Sequence, residues 1–101
     1  MSTLFITEFR GSRNARSALE PVAVLPPLAE QAVAVGAGSV QSAALNAATD
    51  LVRVHCDVNC QVSFGANPTA AVGSMRLAAG ASEYFGVAAG SALKIAVIAG
   101  A

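Results

Sequence analysis

The chemistry-bearing residues of this chain crowd into one stretch, VRVHCDVNCQVSF at positions 52–64, which holds its only histidine, His55, and both of its cysteines, Cys56 and Cys60. Thiolates and imidazole are the ligands that zinc prefers, and an imidazole beside a carboxylate is the start of a nucleophile-activating relay. Neither chemistry is completed. A structural zinc needs four ligands, and no second cysteine pair exists; His55 has the opposite strand parity to Cys56 and Cys60. His55 and Asp57 do share a parity, but no feature of the sequence nominates a nucleophile to join them. Asp50, Asp57 and Glu83 are spread along the chain rather than paired for acid–base work. The GAGS at positions 36–39 lacks the lysine and the spacing of a phosphate-binding loop. The expectation is a protein that is not an enzyme, with no catalytic residue, metal or cofactor.

The elements that carry these residues are strands. Val52, Val54, Cys56, Val58, Cys60, Val62 and Phe64 alternate with Arg53, His55, Asp57, Asn59, Gln61 and Ser63. Such period-2 alternation is the mark of half-buried strand. Run as one strand it would extend about 40 Å, too long for a domain whose radius of gyration should be ~13 Å. A break at Asp57-Val58-Asn59 makes a hairpin with a three-residue loop, in which Asn59 takes the left-handed position. Cys56 then faces Cys60, Val54 faces Val62 and Val52 faces Phe64, all on the buried side. The cysteines are expected to be reduced and buried, as small apolar residues.

A chain of 101 residues is one domain at most. It is 54% hydrophobic and only 12% charged, well below the roughly 25% of an average globular chain. So little charge favours association, and much of the surface is expected to be covered by other chains. Net charge is zero, which removes a general argument for nucleic acid. No secretory signal is visible near the start, where Glu8 and Arg10 interrupt any apolar run, and no segment has the length of a membrane span. A soluble protein without nucleic-acid or membrane partners is expected.

Residues 1–30 read as an extended N-terminal arm. LFITEF can form a short strand with Phe5 and Phe9 on one face; GSRNARS is loop-like; and Pro21, Pro26 and Pro27 bias the rest of the arm toward extended conformations. Phe5, Phe9, Arg10, Arg13 and Arg16 are the candidates for touching a partner with this arm, the arginines lying across an acidic surface. Residues 31–101 form the body. Strand-length apolar runs recur about every ten residues with glycine at most junctions, which argues for an all-β fold, a compact β-sandwich or jelly-roll-like unit. The competing reading is a short helix or turn at SAALNAATDLV, rich in the best helix former. In EYF at positions 83–85, Tyr84 and Phe85 are candidate interface anchors, because scarce aromatics are usually used for packing.

The segments QSAALNAATDLVRV, CQVSFGANPTA and AGASEYFGVAAGSALKIAVI resemble a group of small structural proteins of tailed bacteriophages. The resemblance covers residues 41–98 and consists of strand-and-turn patterns rather than catalytic signatures. It implies a component of the virion, a capsid cement or decoration protein. Such a protein assembles in the host cytoplasm, sits on the capsid surface, self-associates as a homodimer or homotrimer and bridges subunits of the major capsid protein. The alternative is a tail, neck or fibre-anchoring component with a binding role.

Overall fold

Strands form where alternation or β-branched content demands them, and each apolar face has to be covered. The computed structural model describes residues 2–10, 13–15, 18–20 and 24–100, with side chains for 2–10 and 26–100. The strands are β1 (Thr3–Arg10), β2 (Arg13–Ala15), β3 (Ala18–Glu20), β4 (Val24–Ala34), β5 (Val40–Gln41), β6 (Leu51–Cys56), β7 (Cys60–Gly65), β8 (Met75–Leu77), β9 (Ser82–Gly86) and β10 (Lys94–Ala99). They build two four-stranded antiparallel sheets, ordered β4-β1-β6-β9 and β5-β10-β7-β8, with β2 and β3 paired apart from both. The expected all-β sandwich is what forms. Taken in cyclic order from β4 to β10 and closed on β1, the strands follow an eight-stranded jelly-roll path. The strand that would come last in the chain comes first.

The core lies between the sheets. Leu4 and Ile6 of β1 and Val52, Val54 and Cys56 of β6 meet Cys60 and Val62 of β7 and Ile95 and Val97 of β10, each no more than 1% exposed. Leu45 and Leu77 close its sides. Burying one such side chain stabilises by up to about 1.5–3 kcal/mol, so this apolar layer supplies the main driving force.

Two expectations are corrected. Residues 1–30 are not an arm outside a body: β1 is an interior strand, paired with β4 on one side and β6 on the other, Leu4 aligning with Val33 and with Cys56. The reason is the inward parity of Leu4 and Ile6, which need the cover that only a sheet interior provides. The prolines find a place at the rim. Between Glu8↔Ala29 and Arg10↔Val24 the ladder skips one residue on β1 and four on β4, so Pro26 and Pro27 sit in a bulge of an edge strand. There their missing N–H groups cost no ladder bond. Pro21 and Arg16 lie outside the described residues.

The second correction concerns the break at Asp57-Val58-Asn59. It occurs, but β6 and β7 do not pair; they belong to opposite sheets, and the connection is an arch. Each strand already has two neighbours, β1 and β9 for β6, β10 and β8 for β7. Crossing between sheets turns both apolar faces into one dry layer, which a hairpin in a single sheet leaves open on one side. The arch is tied at both ends. Thr3 N donates to Asp57 Oδ1 at 2.9 Å, and Ala79 N donates to Asn59 Oδ1 at 2.9 Å. The competing reading of SAALNAATDLV as a short helix or turn comes out as a turn: after β5 the segment runs irregularly through residues 47–48 into β6. Its Leu45 is buried and its backbone is held by the other parts of the sandwich, with Leu45 N on Leu93 O at 2.8 Å. Those long-range bonds override the helix propensity of alanine.

Candidate functional site

The outer face of the first sheet gathers the unusual side chains. Directly paired residues of neighbouring antiparallel strands point to the same side. Thr7 lies outward, between inward Ile6 and Glu8, and it aligns with Glu30 on β4 and Arg53 on β6; Arg53 aligns in turn with Tyr84 on β9. One row therefore reads Glu30, Thr7, Arg53, Tyr84. The row beside it reads Ala32, Phe5, His55, Ser82. Phe5 is 45% exposed and Tyr84 55%, although both are large aromatics. Such residues on a sheet face are characteristic of contact surfaces.

Within this face Ser82 is held from two sides. Arg53 donates a guanidinium N–H to Ser82 Oγ at 2.9 Å, and His55 Nδ1 lies 2.9 Å from the same oxygen. The Phe5 ring tilts against the imidazole with centroids 6.3 Å apart. Serine beside histidine supplies two parts of a hydrolytic relay. Asp57, the acid nearest in sequence, is instead engaged by the Thr3 backbone. Ser82 stands on an open sheet face, not in a cleft, and what the cluster offers a neighbour is hydrogen-bond donors and a cation. Sequence reasoning misses Ser82; its only local signal is the place before Glu-Tyr-Phe, and its partners are 27 and 29 positions away.

The cysteines stand on either side of the arch, both free and both 0% exposed. Burial pushes the Cys60 thiol up to about 12, helped by its hydrogen bond to Cys56 and by the charges of Cys56 and Asp57. A thiol held neutral in this way is a poor nucleophile at neutral pH. Among the described residues no group of three or more His, Cys, Asp or Glu is placed to hold a metal.

A second polar cluster lies inside the sandwich. Glu8 is 1% exposed, and its carboxylate accepts from Asn46 N at 2.6 Å, from Thr49 Oγ1 at 2.9 Å and from Gln31 Nε2 at 2.9 Å. Gln31 Oε1 accepts from Ala43 N at 3.0 Å, which extends the clamp along the segment before β6. The position is legible in the sequence, since Glu8 shares the inward parity of Leu4 and Ile6. Its partners are not.

On the open side of the sandwich, Phe64, Met75, Phe85, Gly86, Val87 and Leu93 line an apolar cleft of about 250 Å³. Phe85 packs on Phe64 with ring centroids 5.2 Å apart. The two candidate anchors of β9 thus divide: Phe85 turns toward the core and Tyr84 outward. The candidates from residues 1–16 divide as well. Phe5 is exposed on the sheet face and Arg10 is exposed at the end of β1, while Phe9 is 5% exposed beside Leu51 and cannot serve a partner. Arg13 belongs to β2, aligned with Glu20. No known protein family, curated protein or solved structure matches this chain.

Proposed function

We propose that this chain is a non-enzymatic structural protein of a tailed-bacteriophage virion, a capsid cement or decoration protein that self-associates and bridges subunits of the major capsid protein. The observation that carries the reading is the outer face of the first sheet, where Phe5 and Tyr84 stand exposed among Arg53, His55 and Ser82. A cement protein acts by self-association and by burying surface across joints of the shell, and exposed aromatics with a few polar partners are what such contacts use. Two further features support it. Only 12% of residues are charged and the net charge is zero, so little repulsion opposes assembly. The paired β2 and β3, outside both sheets, continue the β1–β4 hairpin beyond its last aligned pair, Arg10 and Val24. That continuation carries Arg13.

Quantitative mass spectrometry of purified particles tests the reading, with this chain scaled against the major capsid protein. A simple fraction of the shell's copy number is expected. A handful of copies would assign the chain to the tail or neck, and absence from the particle would overturn the virion reading.

A further inference from the structure

The row Glu30, Thr7, Arg53, Tyr84 has an internal symmetry. Glu30 and Arg53 flank Thr7 on adjacent strands, each about 4.8 Å from it in the pairing direction. Glu30 is exposed, and among the described residues its side chain has no partner. Arg53 keeps its positive charge while donating to the neutral Ser82 hydroxyl. An anion and a cation equidistant from one central strand form a pattern complementary to its own two-fold image.

We propose that this face is the site of self-association: two copies pack the outer faces of their β4-β1-β6-β9 sheets together about a two-fold axis running along β1. The inference rests on the self-association proposed for a cement protein and adds its location and symmetry. Two sheets stacked face to face admit two in-plane two-fold axes. An axis along the strands keeps each row on its own row and exchanges β4 with β6. Glu30 then lies over Arg53 of the second copy, Arg53 over its Glu30, and Phe5 over Phe5. An axis across the strands along this row keeps the strands in order and sets Arg53 over Arg53 and Glu30 over Glu30, which like-charge repulsion disfavours. Charge selects the first. The spacing also suits it, because packed sheets lie about 10 Å apart, a gap that an arginine and a glutamate span together. Phe5, 45% exposed at the middle of the face, becomes the central anchor, ringed by the polar groups. The small Ala32 and Ala34, both exposed on β4, leave room for the approach.

Charge reversal tests this on the full-length protein. Sedimentation equilibrium should show a dimer for the wild type. Glu30→Arg and Arg53→Glu, each placing like charges together at two symmetry-related points, should each weaken it by about tenfold or more. The double exchange Glu30→Arg with Arg53→Glu should restore dimerisation, and Phe5→Ser should weaken it without touching a charge. Circular dichroism melts of each variant separate a lost contact from a lost fold, and recovery in the double exchange does so again. A wild type that associates equally well with either single reversal, or that forms trimers, would overturn the assignment of the face while leaving the virion reading to the particle measurement. A monomeric wild type would overturn the proposal together with self-association, and particle binding lost on the same reversals would give the face to the capsid instead.

Discussion

Thr49 donates a 2.9 Å hydrogen bond to the carboxylate of Glu8 across 41 positions of sequence, and each residue is 1% exposed. Asn46 N and Gln31 Nε2 complete the set of donors around that carboxylate. The irregular segment between β5 and β6 is therefore fastened to the inner side of β1 by a charged group. A buried carboxylate is tolerated when several donors satisfy it, and removing it strands them all.

Glu8→Ala should destabilise the fold by roughly 2–4 kcal/mol, because the Asn46 amide, the Thr49 hydroxyl and the Gln31 side chain lose their acceptor at once. Thr49→Val, which removes one donor and keeps the shape, should cost about 1–2 kcal/mol. Urea unfolding of both variants checks the order. A loss under about 1 kcal/mol for Glu8→Ala would mean that the cluster is not structural.

Deleting residues 1–16 should abolish folding. The deletion removes the strand between β4 and β6 and takes Leu4 and Ile6 out of the core. Leaving two strands unpaired and a cavity the size of two large side chains exceeds the roughly 5–15 kcal/mol that holds a small domain together. Amide dispersion in an NMR spectrum decides it, and a dispersed spectrum from the truncated chain would contradict the interior position of β1.

Stability should fall as the pH rises above about 9. Cys60 ionises near 9.0 when unfolded but only near 12 in the fold, so over that interval the unfolded state releases a proton that the folded state keeps. The contribution is fully present below pH 9 and is lost progressively toward pH 12. Thermal melts across this range should flatten in Cys60→Ala relative to the wild type. An unchanged slope would show that the thiol is not held in its neutral form. Cys60 should also resist alkylation in the folded protein at neutral pH.

Strand parity is legible along the chain. Alternation in VRVHCDVNCQVSF assigns Val52, Val54, Cys56, Cys60, Val62 and Phe64 to the interior; the first five are buried and Phe64 is half-buried against the core. It also places a break at Asp57-Val58-Asn59 where the chain does turn. LFITEF puts Phe5 and Phe9 on a common face by parity. What parity cannot tell is whether each position on that face is covered: Phe9 is buried and Phe5 is not. The prolines and arginines around LFITEF mask the inward run of Leu4, Ile6 and Glu8, so an interior strand has the sequence character of an arm.

The sequence by itself determined that the fold is all-β and which side chains of residues 52–64 turn inward, because alternation and turn chemistry are properties of residues adjacent along the chain. Only the tertiary structure decided which strands are neighbours. The same turn at Asp57-Val58-Asn59 serves a hairpin or an arch, and the choice was made by β1, β9, β10 and β8, which claim the edges of β6 and β7. Clusters assembled from distant strands depend on that choice: Ser82 against His55 and Arg53, Glu8 against Thr49, Glu30 and Arg53 on either side of Thr7. Backbone pairing between remote segments is set by the total burial it permits, and no local pattern encodes that sum.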